Sequence, residues 1–245
     1  MTREPTPAPP QDNHLLAALS DDARQRIAPH LERVDLPLGK VLHEAGNAIK
    51  TVYFPIDSVV SHVHMVADGH SAEIALVGSE GLVGVSALLG GDGAIGRAIV
   101  QAAGQAWRMP ASILVDEFNR HDELQRLVLR YLQMLLTQVA QTAVCNRHHT
   151  IDQQLCRWLL QSLDHVPGNR LSMTQELIAS MLGVRREGVT DAARKLQALG
   201  VIEYTRGRIN VLDRPRLEGL SCECYAIVRR GTDRLLHSYT AVRAG

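Results

Sequence analysis

The chain has 245 residues, of which 45% are hydrophobic and 21% are charged, so it can form one large or two modest domains with buried cores. Its longest segment without charge, residues 131–146, is too short and too rich in glutamine and threonine to cross a bilayer, which excludes a membrane protein. The first residues include four prolines and no apolar signal segment, so we expect a cytoplasmic protein. Four cysteines in a chain of this length predict reduced thiols rather than a disulfide framework.

Charge is distributed unevenly along the chain, although the formal net charge is zero. Residues 1–164 contain 13 basic and 18 acidic side chains, whereas residues 165–245 contain 13 basic and 8 acidic ones. The last third is therefore a basic module attached to an acidic body. This asymmetry by itself is a weak indication of nucleic-acid binding.

Short apolar runs separated by glycines fill residues 36–109, and 11 of the 19 glycines lie in this part of the chain. This pattern is typical of β-strands joined by tight turns in a sandwich or roll. We assign residues 1–20 to a disordered tail and residues 21–110 to a β-roll (jelly-roll-like) sensor domain. The predicted strands cover residues 41–43, 51–54, 59–66, 72–77, 98–102 and 106–109.

After Pro110 the pattern becomes helical. Apolar residues recur every three or four positions from residue 122 to about residue 149, which predicts one helix of nearly 30 residues within a helical segment at 111–150. Its continuous apolar stripe favours pairing with a second copy, and packing inside its own core is the alternative. The residues expected at the dimer contact are Leu124, Val128, Tyr131, Leu135 and Val139.

Residues 172–213 are the most informative segment, because they predict a helix, a tight turn, a second helix and a small hairpin. Thr174 is a suitable N-cap for the first helix, and Gly183 can end it in the left-handed conformation. Ala179, Gly183 and Val189 stand at the three positions where a helix-turn-helix needs a small residue, a turn glycine and an apolar wedge. A winged helix-turn-helix with a C-terminal helix is therefore predicted at 151–245, and the whole chain is expected to be α+β.

The second helix of this motif carries side chains suited to DNA. Arg186 can donate two hydrogen bonds to guanine, and Glu187 can accept one from cytosine. Arginines and lysines farther along the helix and on the wing are better placed to contact phosphates. The residues predicted to read bases are Arg185, Arg186, Glu187, Thr190 and Asp191. The residues predicted to contact phosphates are Thr174, Arg194, Lys195, Arg206 and Arg208.

The sequence resembles the Crp/Fnr family of bacterial transcription regulators over nearly its whole length. The resemblance implies a homodimer that binds palindromic sites in double-stranded DNA and contacts RNA polymerase. Asp191 stands where many family members have a second base-reading arginine, so the half-site is expected to differ at one base step. The residues that carry the resemblance are Gly39, Gly46, the Tyr53-Phe54-Pro55 strand, Gly81, Gly84, the Leu88-Leu89-Gly90 stretch and residues 184–189 (VRREGV).

The resemblance also bears on the ligand of the sensor domain. Members that bind cyclic nucleotides hold the ribose with a Gly-Glu pair and the phosphate with an Arg-Ser pair. The aligned residues here are Gly84-Val85 and Gly96-Arg97-Ala98. Val85 cannot accept a hydrogen bond, and Arg97 is displaced by one position, which points it to the other face of a strand. We do not expect cyclic AMP to bind; a pocket for another effector would contain Gly81, Gly84, Val85, Gly96 and Arg97.

Other functions stay open at this point. His62, His64 and His70 could ligate haem or a metal, and Cys222 with Cys224 could have a redox or metal role, although solvated histidines and apolar thiol contacts are the simpler interpretation. A cyclic-nucleotide-binding module and a pure interaction module are further alternatives. We find no phosphate loop, nucleophile elbow or zinc-protease motif, so we do not expect an enzyme. No cysteine precedes Cys145, which makes an iron–sulfur cluster improbable, and we assign neither a resident cofactor nor a metal.

Overall fold

The computed structural model describes residues 11–91 and 93–243. The strands of the N-terminal domain are β1 (Glu32–Leu36), β2 (Val41–His43), β3 (Thr51–Pro55), β4 (Val59–Met65), β5 (Ser71–Val77), β6 (Arg97–Ala102) and β7 (Gly104–Pro110). The helices around them are α1 (His14–Ala17), α2 (Asp21–Ile27), α3 (Ala111–Phe118) and α4 (Glu123–His148). The C-terminal elements are α5 (Ile151–Asp164), β8 (Arg170–Ser172), α6 (Gln175–Leu182), α7 (Arg186–Ala198), β9 (Ile202–Thr205), β10 (Arg208–Val211), α8 (Arg214–Leu220) and α9 (Glu223–Arg243). No helix among these described residues is long and apolar enough to span a bilayer.

Two antiparallel sheets form the N-terminal domain, with strand orders β1-β7-β3 and β2-β6-β4-β5. Val52 and Phe54 of β3 and Val60 of β4 are fully buried in one core that both sheets share. The predicted β-roll is therefore confirmed, and β2 to β7 lie where the glycine-bounded runs place them. Strand β1 was not predicted, because it has three charged residues and only two apolar ones, Val34 and Leu36, of which only Leu36 is buried.

The N-terminal segment takes part in this core, contrary to the sequence-based expectation. Asn13 is fully buried, and its side-chain amide donates to two backbone carbonyls of the roll, each at 2.9 Å. Its Oδ1 caps α1, and Leu15 and Leu16 pack into the roll. The prediction of a disordered tail over residues 1–20 is wrong from Asn13 onward, because these leucines bury apolar surface that a solvated tail would expose. Residues 1–10 lie outside the described part of the chain.

Helix α4 forms as predicted, but its contact residues differ from the prediction. Leu124, Val128 and Tyr131 have no exposed surface, because the roll and the helices beside it cover them within one protomer. The Tyr131 hydroxyl also donates to a backbone carbonyl of the roll at 3.0 Å. The assignment of these three residues to a dimer contact is therefore wrong. Leu135 and Val139 are half-buried.

The C-terminal domain has its own core around Trp158 of α5 and Val189 of α7. Its sheet has three strands in the order β8-β10-β9, one more than the predicted hairpin. Helix α9 leaves this domain and returns to the roll. There Leu235 and Tyr239 enter the roll core, and the Tyr239 hydroxyl donates to the carbonyl oxygen of Glu80 at 3.1 Å.

The two domains also contact each other through β5 on one side and α5 and α6 on the other. The indole nitrogen of Trp158 donates to Oε1 of Glu73 at 3.0 Å, and the hydroxyls of Ser71 and Ser180 lie 2.7 Å apart. Glu73 is buried and accepts a second hydrogen bond from the Ser61 hydroxyl at 2.6 Å. Burial raises the pKa of Glu73 to about 7, so this carboxyl titrates near neutral pH.

Candidate nucleic-acid interface and roll cavity

Helices α6 and α7 form the predicted helix-turn-helix. The Thr174 hydroxyl accepts from the backbone N–H of Leu177 at the start of α6, as expected of an N-cap. Gly183 ends α6 with φ of +66°, a left-handed conformation that other residues adopt only at a cost. Ala179 and Val189 are buried where the two helices cross. The three motif positions therefore act as the sequence predicts, and they fix the angle at which α7 leaves the turn.

Helix α7 presents a polar face to solvent. Arg185 caps the helix, and Arg186 and Glu187 form its first turn, all three exposed. Thr190, Asp191 and Arg194 follow at helical spacing on the same side and, with Arg186 and Glu187, line one shallow groove beside Tyr204 of the wing. An exposed helix face with donors and acceptors in its first turn can enter a major groove and contact base edges.

Side-chain contacts across this face are few. The Thr190 hydroxyl donates to Oε1 of Gln175 at 2.8 Å, which ties α7 to the start of α6. Asp191 accepts from Arg194 at 3.4 Å, and both side chains are largely exposed. Exposed ion pairs of this kind contribute little, about 1 kcal/mol or less, so a DNA phosphate can compete for Arg194. Asp191 lies within the groove and can read a base only as an acceptor.

The predicted phosphate contacts do not all lie on this face. Arg206 and Arg208 are exposed at the wing turn, beside the groove. Lys195 lies about a third of a helical turn away from the centre of the face and donates to Asp152 of α5 at 2.8 Å. That hydrogen bond raises the pKa of Lys195. The structure therefore places Lys195 against α5, outside the groove. The Thr174 hydroxyl accepts its capping bond and keeps its O–H group as a donor for a phosphate, so that contact stays a prediction.

A partly exposed side of α4 carries an apolar stripe that shares only Val139 with the predicted dimer contact. Its members are Leu129, Leu132, Leu136, Val139 and Ala143, which repeat at alternating spacings of three and four. Leu129 and Leu136 are 53% and 63% exposed, an unusual degree for leucines on a long helix. The stripe is rotated by roughly a third of a turn from the face that packs on the roll. Such a heptad pattern is typical of a helix that pairs with another helix.

A cavity of about 450 Å³ lies inside the roll and reaches α4. Of the predicted pocket residues, Gly84, Val85 and Gly96 line it. Gly81 does not, because it packs beneath the ring of Tyr131, where a Cβ atom would come within 2.2 Å of the ring. Arg97 points away and pairs with Glu44 at 2.9 Å, on the other face of the strand as its displacement predicts.

The polar side chains that line this cavity are those of three histidines and Ser86. His43 was not predicted, because an isolated histidine in a short strand gives no sequence signal; His62 and His64 were. Burial lowers the pKa of His62 to about 4, and the nearby His43 and His64 add to this effect, so His62 is neutral at physiological pH. Its Nε2 is buried without a hydrogen-bond partner. His70 is exposed in the turn after β4 and does not line the cavity.

Most of the remaining cavity wall is apolar. Ile49, Ile74, Leu89 and Ile95 come from the roll, and the stripe side of α4 closes the cavity. Among the described residues, those that line the cavity include no arginine, lysine or carboxylate. This wall offers no cation for a phosphate and suits an uncharged ligand.

Comparison with protein families gives a match in the C-terminal domain. Residues 153–220 match the Crp-like helix-turn-helix domain. No curated protein matches the chain significantly.

Several solved structures share the fold over most of the chain. A Crp/Fnr-family transcriptional regulator of Eubacterium rectale has a TM-score of 0.71 at 18% identity, covering 86% of this chain and 99% of that one. FixK2 of Bradyrhizobium japonicum has a TM-score of 0.67 at 16% identity, with coverages of 78% and 98%. The c-di-GMP-responsive regulator CLP of Xanthomonas campestris has a TM-score of 0.63 at 19% identity, with coverages of 79% and 100%.

At these identities the similarity to solved structures shows the fold, and the family match identifies the domain that binds DNA. Both agree with the exposed face of α7 and with the resemblance seen in the sequence. The chain is a DNA-binding transcription regulator with the Crp/Fnr fold, and its C-terminal domain is a Crp-like helix-turn-helix domain.

Proposed function

We propose that the protein is a homodimeric regulator that binds two-fold symmetric sites in double-stranded DNA and responds to an uncharged effector in its roll. The observation that supports DNA reading most directly is the exposed groove of α7, where Arg186 and Glu187 lie in the first turn. Arg206 and Arg208 on the wing would neutralise phosphates at the edge of the same surface.

The exposed stripe of α4 supports the homodimer. Five apolar positions at heptad spacing would be buried against the same positions of a second copy, which is the geometry of a two-stranded coiled coil. A two-fold axis parallel to α4 would relate the two α7 helices. Each helix could then bind one of two inverted half-sites whose centres are about one helical turn of DNA apart. A palindromic site follows from this symmetry.

The roll cavity supports a ligand other than cyclic AMP. Val85 lines it without an acceptor for a ribose hydroxyl, and Arg97 is held outside by Glu44. His62, whose Nε2 is buried without a partner, and the apolar wall instead suit an uncharged molecule with one hydrogen-bonding group. Because α4 forms part of the wall, ligand binding would act directly on the proposed dimer helix.

We further propose that the protein acts in the cytoplasm, where bacterial promoters lie, and contacts RNA polymerase once bound. Transcription in vitro from a promoter that carries the selected site, with and without the protein, tests this contact. A change in transcript yield that depends on an intact α7 groove supports it, and an unchanged yield contradicts it.

Selection of bound sequences from random double-stranded DNA tests the central proposal. We expect the purified chain to enrich two inverted half-sites with a fixed spacing of about 10 base pairs. Enrichment of a single unpaired half-site would contradict the symmetric dimer, and enrichment of no sequence would contradict base reading by α7. A variant with Arg186→Ala and Glu187→Ala is the matched control, since it keeps the wing arginines and the fold.

A further inference from the structure

Three cysteines and a histidine meet at the junction of the two domains. Cys145 lies in the last turn of α4, and His149 follows α4 as its C-cap. Cys222 and Cys224 lie at the start of α9. One potential ligand atom from each residue, Sγ or an imidazole nitrogen, lies within 4.8 Å of the other three. The sequence left a metal role for Cys222 and Cys224 open beside apolar contacts, and it gave no sign of the nearby Cys145 and His149 that the fold brings to them.

Two of the six separations between these atoms are close to the edges of a tetrahedral metal site, and all six are within 4.8 Å. Sγ of Cys145 and Sγ of Cys222 are 3.5 Å apart, and Sγ of Cys224 is 3.6 Å from Nδ1 of His149. Four ligands at zinc distances have edges of about 3.8 Å between two sulfurs and about 3.5 Å between sulfur and nitrogen. All three cysteines are at least 95% buried, so the site is closed like a structural zinc site rather than open like a catalytic one.

The surrounding side chains are suited to a bound metal. Nε of Arg157, which is itself buried, donates to Sγ of Cys145 at 3.2 Å. Three thiolates and one zinc ion leave a net charge of minus one, and this guanidinium would balance it. On the opposite side, Nε2 of His149 lies 3.4 Å from the Glu223 carboxylate, which would leave Nδ1 free to face the metal. Both contacts are of the kind that orients metal ligands.

We propose that Cys145, His149, Cys222 and Cys224 bind one Zn²⁺ ion. A set of three thiolates and one imidazole in tetrahedral arrangement suits zinc better than a hard cation such as Mg²⁺. The ion would join the end of α4 to the start of α9 and so fix the junction between the sensor and DNA-binding domains. This inference does not depend on the proposed effector or on the proposed operator symmetry.

The test uses the full-length protein, purified with a reductant and without an affinity tag. We expect about one zinc per chain by mass spectrometry of metals. Replacement of zinc by Co²⁺ should give the absorption of a tetrahedral thiolate site, which then reports affinity in competition titrations. Removal of the metal with a strong chelator should lower the thermal transition of the wild-type protein.

Variants separate the site from the fold. Cys222→Ser should weaken Co²⁺ binding at least tenfold. Glu223→Gln changes an exposed residue outside the ligand set and should weaken Co²⁺ binding about tenfold. Cys156→Ser is the matched control, because Cys156 is the fourth buried cysteine and lies outside the cluster; its Co²⁺ affinity should be unchanged. Circular dichroism checks that each variant is folded. If Cys222→Ser does not fold, the Co²⁺ affinity of Glu223→Gln alone tests the proposal.

Three results would overturn the proposal. The first is protein without metal after reductive purification and zinc supplementation. The second is equal Co²⁺ affinity of Cys222→Ser, Glu223→Gln and wild type. The third is metal-free protein with two fewer titratable thiols than its four cysteines, which would show a disulfide within the cluster in place of a metal site.

Discussion

Glu73 gives the contact between the two domains a pH dependence that can be measured. Its buried carboxyl accepts from Trp158 of α5 and from Ser61, and its pKa is raised from 4.5 to about 7, chiefly by burial. The hydrogen bond from Ser61, the charge of Arg157 and the hydrogen bond from Trp158 lower the pKa without cancelling the effect of burial. A carboxyl with a raised pKa binds its proton more tightly in the folded state. Its stabilising contribution is therefore complete below the unfolded value of 4.5 and is lost as the pH rises through about 7.

The size of the effect follows from this difference in pKa. A tenfold change in acidity corresponds to about 1.4 kcal/mol, so raising the pH from about 4.5 to about 8 should remove about 3 kcal/mol of stability through Glu73. In Glu73→Gln the amide cannot ionise, and its NH₂ group can replace the protonated oxygen as a donor. We expect the free energy of unfolding of the wild type to fall by about 3 kcal/mol more than that of the variant over this range.

Urea denaturation of both proteins at several pH values measures the difference. Comparing wild type with Glu73→Gln cancels the contributions of the other titrating groups to first order. The same pH dependence in both proteins would refute the assignment. A larger dependence in the variant would refute it as well, because the sign would then be that of a carboxylate stabilised in its charged form.

Three further predictions concern the dimer and DNA. Leu136→Glu should raise the dimer dissociation constant about a thousandfold in sedimentation experiments, because each of two chains loses about 2 kcal/mol of apolar burial. Arg186→Ala should weaken binding to the selected site by about 1–3 kcal/mol in gel-shift titrations and relax the preference at one guanine, while random DNA binds as before. Arg208→Ala should weaken binding to all sequences alike. The slope of log affinity against log salt concentration should become shallower by about one, because one phosphate contact is lost.

Each of these predictions has a control. Leu38→Glu makes the same chemical change at a leucine that is 55% exposed and lies outside α4, so the dimer should survive it. Equal dissociation by Leu38→Glu and Leu136→Glu would contradict the α4 contact. The orientation of α7 would be contradicted if Arg186→Ala weakened specific and random DNA equally while Arg208→Ala changed base preference.

Local patterns in the sequence are sufficient to predict most elements of the fold. Glycine-bounded apolar runs locate six strands of the roll, and Thr174, Gly183 and Val189 locate the helix-turn-helix, because turns and caps depend on residues next to each other in the chain. Strand β1 and helix α1 are not predicted by these local patterns. Their stability comes from partners far away in the chain, such as the carbonyls that Asn13 reaches.

The sites are harder to predict than the fold. A helical periodicity shows that α4 has apolar stripes. Only the packing shows that Tyr131 is buried in the roll core, whereas Leu136 lies at the mouth of the roll cavity and is largely exposed. The same limit applies to the cysteines. Cys145 and Cys222 are 77 residues apart, and no spacing rule relates them. Which residues of α7 read bases stays a prediction.

Helix α9 has a consequence for how the protein is made. The Tyr239 hydroxyl bonds to the carbonyl of Glu80, 159 residues earlier in the chain, and Leu235 lies in the core of the roll. During synthesis the roll therefore leaves the ribosome long before the residues of α9 that complete its core. Until α9 is made, the part of the core that α9 covers stays exposed. A chain that stops after the wing would contain every element of the helix-turn-helix yet leave the sensor domain unfinished. Expression of residues 11–150 alone is accordingly expected to give an unstable or aggregating roll, although all of its strands are present.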